Sequence, residues 1–424
     1  MTKLFSLPPA DLACYGYDMD NRWSKLLFPV RVSRLHGKHF LGLVICLIIF
    51  TTTAPRPDAA ETDCAHLLAD TPPAMPRTPQ GRKPQHVFIL ILENEGFNTT
   101  FEGPSAPYLK CLAKERGQLL THYFGIGHYS LDNYIAMISG QAPTPDTQND
   151  CPQFIDFKLD ALLPDGQAKG QGCVYPSNLP TIANQLSDKH LSWGAYMEDM
   201  RHPCEHPQIG DRDQTEQARP GNQYATKHNP FVYFHSIIDD PKTCANDKPF
   251  ENLETDLKNV TTTPNLVFIT PNLCNDGHDA HCIGAPSDEV DGLAAADRFL
   301  QKWVPQIMQS PAYQQDGMLI ITFDEAELGN DKDDYTRCCN EQPGPNVTQP
   351  GRQGPGGGKI GAVIISPYTT PGSVNPTPYN HYSLLRSLED LFGLSHLANA
   401  NQKNLTPFGP DVYTTDPSRS APTH

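Results

Sequence analysis

Positive charge is scarce in this 424-residue chain: 32 Lys and Arg stand against 48 Asp and Glu, for a formal net charge of −16. A chain so acidic is a poor general binder of nucleic acid or of an anionic membrane surface. Long apolar runs are just as scarce. The longest, Phe40 to Phe50 (FLGLVICLIIF), is well short of the roughly 20 residues that cross a bilayer as a helix. No two cysteines have the Cys-x-x-Cys spacing of a structural zinc site, and no internal repeat points to a solenoid or propeller.

What is present begins with an export pattern. Arg31, Arg34 and Lys38 precede the apolar run, and small residues follow it as far as Ala59 and Ala60. This predicts a signal peptide cleaved near Ala60, or a signal anchor if it is kept. The basic stretch before the run is unusually long, which makes Met19 a candidate start. Removing residues 1–60 takes away 7 Lys and Arg and 4 Asp, leaving 25 basic and 44 acidic residues, net −19. Ten cysteines follow position 60, an even number that predicts disulfides in an oxidising compartment. The adjacent Cys338 and Cys339 are expected in separate bridges. The expected location is secreted or periplasmic, or membrane-tethered by an uncleaved anchor.

Residues 61–85 read as a Pro/Thr-rich leader, 86–410 as a single domain and 411–424 as a flexible tail. Within the domain, apolar or β-branched runs alternate with helical patterns. Strands are predicted at 86–92, 118–124, 191–197, 265–270, 317–323 and 359–366. Helices are predicted at 105–116, 131–139, 179–188, 286–308 and 382–393. Such alternation predicts an α/β fold with a mainly parallel sheet covered by helices. Loops at 141–178, 200–260 and 324–358 look too polar and too rich in Gly and Pro to enter the core.

A parallel sheet binds its ligands at the carboxyl ends of its strands. Two buried strands end there in acids: ILIL runs into Glu93-Asn94, and LIITF runs into Asp324-Glu325, with Glu327 close by. One such end could be an ordinary turn or helix cap. Two of them place carboxylates where they repel one another unless a cation intervenes. An all-oxygen set of Glu93, Asn94, Asp324 and Glu325 suits one hard divalent ion, Mg²⁺, Ca²⁺ or Mn²⁺, ahead of Zn²⁺, because these ends offer no His. In GHYSLDNYIAMISG, Ser130 opens a helix after a strand. It is either a plain N-cap or a nucleophile at an anion-stabilising helix start. Asn133 could then donate to a phosphoryl oxygen, and His128 could carry a proton. Lys227 and His228 could hold phosphate, while His278 (in Asn275-Asp276-Gly277-His278-Asp279) and His381 (after Asn380) are further proton carriers. Each lone His is more ordinarily structural. Their recurrence in polar clusters at element ends shifts that balance.

The ordered set ILENEGF, HYSLDNYIAMISG, SWGAYMEDM, KHNPFVYF, PNLCNDGHD, IITFDEAE and NHYSLLRSLEDLFGL resembles the phosphoesterase family of bacterial acid phosphatases and phospholipases C. The resemblance spans His86 to Leu394. It implies an alkaline-phosphatase-like three-layer α/β/α sandwich and hydrolysis of phosphoric esters. It also implies Glu93, Asn94, Asp324 and Glu325 as metal ligands and Ser130 as nucleophile. Asp324-Glu325 departs from the Asp-His of a two-zinc site, so a single ion is expected.

The resulting expectation is an exported metal-dependent phosphomonoesterase of acid phosphatase type, acting on a small phosphoester or on a phospholipid headgroup such as a phosphoinositide. Brief contact with a membrane surface is compatible with that reading. A phospholipase C would use the same residues, and a non-catalytic phosphate-binding protein would use the same ion and helix start.

Overall fold

Seven consecutive apolar or β-branched residues, His86–Leu92, form β1, and every one of them is buried. A strand with no exposed position needs cover on both faces, which is the demand a central strand of a layered α/β fold makes. In the computed structural model, residues 15–17, 23–25, 63–73, 83–278, 282–283, 292–328 and 333–414 are described. The chain divides into two units, Met1–Ala60 and Glu61–His424. In the first, Tyr15–Tyr17 pairs antiparallel with Trp23–Lys25. The run Phe40 to Phe50 behind the export reading lies outside the described residues.

The second unit is built on an eight-stranded sheet. Its strands are β1, β2 (Gln118–Leu120), β3 (Trp193–Met197), β4 (Asp247–Pro249), β5 (Leu266–Thr270), β6 (Gly317–Phe323), β7 (Ala362–Ile365) and β8 (Val374–Asn375). They lie in the order β8-β2-β7-β6-β1-β5-β3-β4. Only β7 runs against its neighbours, so the sheet is mainly parallel, as predicted. β1 and β6, both predicted to the residue, are adjacent, with His86 beside Gly317 and Leu92 beside Phe323.

Helices cover the sheet in two groups. α1 (Cys64–Leu67) packs on α2 (Pro107–Glu115), which packs on α5 (Leu293–Gln309), and α6 (Pro311–Asp316) follows α5. α3 (Ser130–Ser139) packs on α4 (Ile182–Asp188) and α7 (His381–Phe392). This is a three-layer α/β/α sandwich. The helix ends are chemically marked. Thr181 and Asn184 form a reciprocal capping box on α4, Asn380 caps α7, and Gly393 ends it with φ 68°. The N–H groups of Tyr108 and Leu109 at the start of α2 are taken by the distant Asp297 carboxylate, at 2.9 and 2.8 Å.

Several boundaries differ from the sequence reading. The leader is part of the fold: Cys64 is bonded to Cys111 of α2. At the other end, Val412 and Tyr413 are buried and the Asp411 carboxylate accepts from Tyr379 at 2.6 Å, so the domain runs past 410. The strand expected over 118–124 breaks into β2 and Tyr123–Phe124, which pairs with Tyr379–Asn380. The long loops do enter the core: Phe154, Val174, Tyr175, Phe231 and Phe234 are buried among the main hydrophobic cluster, because aromatic residues scattered through polar sequence have no period to reveal them. Helix α5 starts at Leu293, and residues 286–291 of the predicted helix lie outside the described residues. All ten cysteines after position 60 are paired, as expected, in the bridges Cys64–Cys111, Cys151–Cys173, Cys204–Cys244, Cys274–Cys282 and Cys338–Cys339. The last corrects the expectation of separate bridges, since neighbouring half-cystines meet here within one turn.

Candidate active site

The register of β1 and β6 puts Glu93 and Asp324 side by side. Leu92 lies beside Phe323, and the next residue of each strand leaves the sheet at the same edge, the Asp324 N–H donating to the Leu92 carbonyl at 2.9 Å. Asn94 then turns into the left-handed region, φ 52°, and its N–H donates to Asp324 Oδ1 at 3.0 Å. Opposite, the chain passes beneath Asp324 and Glu325 through Gly125, where a Cβ would stand 2.8 Å from the Asp324 carbonyl.

α3 begins at this point. Tyr129 holds φ 83°, an uncommon and strained conformation for a bulky residue. That turn delivers Ser130 as the first helical residue, 3% exposed. Ser130 Oγ donates to Glu93 Oε2 at 2.7 Å, and Tyr134, one turn on, donates to Glu93 Oε1 at 2.6 Å. His228 Nε2 lies 3.3 Å from Glu93 Oε2, and its Nδ1 lies 3.7 Å from Asp276 Oδ2. Its ring stacks on Tyr134 at 5.4 Å.

Asn94, Tyr129, Ser130, Asp150, Lys227, His278, Glu325 and Leu328 line a cavity of about 280 Å³. Larger clefts lie elsewhere, but this one brings Ser130 to solvent. Lys227 donates to Asp150 Oδ2 at 3.0 Å. Burial works against its charge, but Asp150 and Glu93 outweigh burial and raise its pKa. His278 stands exposed at the rim, its N–H bonded to Asp276 Oδ1 at 3.0 Å.

Four residues marked in the sequence have other placements. Asn133 does not face the cavity: its Oδ1 accepts from Ile126 and Gly127 N–H at 2.7 and 3.1 Å, and its Nδ2 donates to Gly127 and Tyr129 carbonyls. It holds the turn that presents Ser130. His128 stands behind Glu325, with Nδ1 against Glu325 Oε2 and Nε2 2.8 Å from the Asp334 carbonyl; burial lowers its pKa. His381 is fully buried behind Asp324, Nε2 2.6 Å from the Asp324 carbonyl and Nδ1 3.2 Å from Tyr123 Oη. Burial drops its pKa to about 4. His228 stands behind Glu93. Three rings expected to carry protons or hold phosphate thus contact the backs of the acids.

Two residues were missed. Asp150 lines the cavity from a loop with no signal of its own. Tyr134 carried a signal, since position i+4 from Ser130 shares its helix face.

The acid cluster fits a hard cation in its chemistry. Burial raises the pKa of Glu93, with Lys227, Tyr134 and Ser130 pulling the other way. Burial and the neighbouring Glu93 push Asp324 well up, and burial, Asp324 and Asp150 do the same to Glu325. Asn94 Oδ1 and Asp324 Oδ2 are buried with no hydrogen-bond partner, two oxygens left open where charge is needed. Among the described residues, no three His, Cys, Asp or Glu side chains converge as a metal site. The oxygens of Glu93 and Glu325 already receive Ser130, Tyr134, His128 and the Tyr129 N–H. Each carboxylate oxygen keeps a second lone pair for an ion.

The chain matches the sequence profile described as Phosphoesterase family over residues 98–395. That span starts just after Glu93-Asn94 and includes Ser130 and Asp324-Glu325. The chain is 30% identical over 360 residues to the phosphate-repressible acid phosphatase of Penicillium chrysogenum, covering 84% of this chain and 71% of that one. It is 26% identical over 341 residues to a probable acid phosphatase of Kluyveromyces lactis, covering 80% of this chain and 63% of the relative. Among solved structures, a protein of the alkaline phosphatase superfamily from Vibrio parahaemolyticus aligns with a TM-score of 0.42 and 14% identity, over 79% of this chain and 74% of that one.

Proposed function

This chain belongs to the Phosphoesterase family, and on that premise we propose that it is an exported, metal-dependent phosphomonoesterase of acid phosphatase type with Ser130 as its nucleophile. Two curated relatives bear acid phosphatase names, and hydrolysis of phosphoric esters is the activity of the family. The observation that carries the finer reading is the placement of Ser130: its hydroxyl sits on the cavity wall at a helix start, already bonded to Glu93 at 2.7 Å.

From that arrangement Ser130 Oγ attacks phosphorus as its proton moves toward Glu93 Oε2. The Oγ–P bond forms, the bond from phosphorus to the leaving oxygen breaks, and His278 at the rim protonates that oxygen. Water then cleaves the phosphoserine and releases phosphate. Lys227, paired with Asp150, and the N–H groups at the start of α3 face the phosphoryl oxygens. Glu93, Asn94, Asp324 and Glu325 would hold the ion, with His128, His381 and His228 orienting the acids from behind. When bound, such an ion supplies Lewis-acid polarisation of the phosphoryl group and a lower pKa for the hydroxyl. Five disulfides support an oxidising location, and no described helix is long and apolar enough to cross a membrane.

Turnover of p-nitrophenyl phosphate, with acid-quenched protein digested and searched for phosphoserine, tests the assignment. Ser130→Ala should lose both signals while melting like the wild type; a near wild-type rate removes Ser130 from the mechanism. Rates on phosphoinositides and phosphatidylcholine, measured beside it, rank monoester against lipid and diester substrates.

A further inference from the structure

We propose that Asp150 sets the charge of the phosphoryl group that this site accepts, favouring the monoanion over the dianion; the inference rests on the phosphoesterase reading above. Asp150 ends the turn Thr147–Asn149 in left-handed backbone, φ 55°, and Cys151 follows at φ 51°. The Cys151–Cys173 bridge ties this loop down beside β-hairpin residues 168–171. The turn aims the carboxylate into the cavity beside Ser130. Its Oδ1 accepts from the Leu131 N–H at 3.1 Å, and its Oδ2 accepts from Lys227 Nζ at 3.0 Å.

Those two donors are the ones a phosphoryl group on Ser130 would seek: an N–H of the helix start and, among the described residues, the single Lys or Arg that lines the cavity. A substrate therefore meets an ion pair of zero net charge, not a bare ammonium. The other charges around Asp150 reinforce this. Glu325 and Asp132 are buried acids whose pKa values Asp150 helps to raise, after burial itself. The buried phenol of Tyr233 feels it too. Among the described residues, His278 lines the same cavity at its rim, and the Arg352 guanidinium lies 3.9 Å over the ring of Tyr129, another lining residue.

A phosphate monoester loses its second proton near pH 6, at about pKa 6. Below that it carries one negative charge and above it two, so the repulsion from Asp150 rises as the pH does. A monoester is thereby selected in its acid form, whereas a fully substituted monoanion is treated alike at every pH.

The test is Asp150→Asn in the full chain. Asn keeps an oxygen for Leu131 and tolerates left-handed backbone, while its amide NH2 cannot accept from Lys227, so the charge and the Lys227 bond are lost together. Calorimetry with inorganic phosphate and with dimethyl phosphate, a permanent monoanion, reads binding apart from turnover. Because repulsion scales with ligand charge, the variant should bind inorganic phosphate about tenfold more tightly at roughly pH 8.5 but only about threefold at roughly pH 5, and dimethyl phosphate about threefold at both. The fall of monoester kcat/KM above about pH 6 should flatten. Equal changes for both ligands at both pH values would show a helix cap and overturn the proposal. If Asp150→Asn does not melt cooperatively, Lys227→Met decides: with Asp150 left unneutralised, the preference for dimethyl phosphate over inorganic phosphate at the higher pH should sharpen, and an unchanged ratio refutes the idea. Charge-selective binding with no ester turnover would sink the phosphoesterase reading and leave the selection standing.

Discussion

Acidification toward pH 4 should stabilise this fold through Asp247, and the effect can be isolated by one substitution. Asp247 lies on β4, fully buried; its Oδ2 accepts from Asn229 Nδ2 at 2.7 Å while its Oδ1 has no partner. Burial pushes its pKa from 3.8 up to about 7, although the Asn229 bond pulls the other way. The folded chain therefore holds a proton that the unfolded chain has lost. The stability this group contributes is fully present below pH 3.8 and is lost as pH rises through about 7. At roughly 1.4 kcal/mol per pKa unit, three units amount to about 4 kcal/mol as an upper figure. In a domain of this size that is roughly 5 °C in Tm. Other acids oppose it. In Asp316, Asp334 and Asp411 burial is outweighed by hydrogen bonds, from His86, Thr336 and Tyr379 respectively, which hold the carboxyls low, so their contribution is present above pH 3.8 and is lost as pH falls below it. A difference measurement removes them. Asp247→Asn should match the wild type near pH 4 and exceed its Tm increasingly up to pH 7, followed by scanning calorimetry. A gap between the two curves that stays constant across this range would refute the buried, proton-holding carboxyl.

Chelation should silence turnover and single ions restore it, Mg²⁺, Ca²⁺ or Mn²⁺ ahead of Zn²⁺; full activity after exhaustive chelation, confirmed by elemental analysis of the protein, would end the metal reading. Tyr134→Phe leaves Glu93 Oε1 without its buried donor and should cost about 1–3 kcal/mol of stability, read by denaturant melts; no loss would mean the bond at Glu93 is idle. His381→Asn should lower kcat by disturbing Asp324 while leaving the pH limbs in place, because a ring with a pKa of about 4 is already neutral where the enzyme works. A vanished limb in the pH–rate profile would instead make His381 a proton carrier.

The parts of the site that could be read from the sequence are those carried by local pattern. Seven-residue apolar runs ending in Glu93-Asn94 and Asp324-Glu325 are strands with acid tips, and a strand followed by Ser130 and an apolar helical period is a nucleophile candidate at a helix start. The histidines were a different matter. A His in a polar loop looks equally able to face a ligand or the back of an acid, and only packing separates His278 at the rim from His128 and His381, buried behind Glu325 and Asp324. Asp150 was invisible for a related reason: its role comes from a left-handed turn and a disulfide that swing it against Leu131 and Lys227, and neither is encoded by residues near it in a recognisable order. The buried aromatics of the long loops escaped notice because isolated Phe and Tyr in polar sequence have no period.

The main strands and helices, the acid tips, the even count of cysteines and the family are legible along the chain, because each depends on residues close together or on their order. Tertiary structure alone decided which tips are neighbours, since the β1–β6 register joins residues more than two hundred positions apart. It also decided which side of each acid a histidine takes and where Lys227 finds its carboxylate. Those are distances between elements, set by how the sheet and its two helical layers pack, and no local pattern carries them.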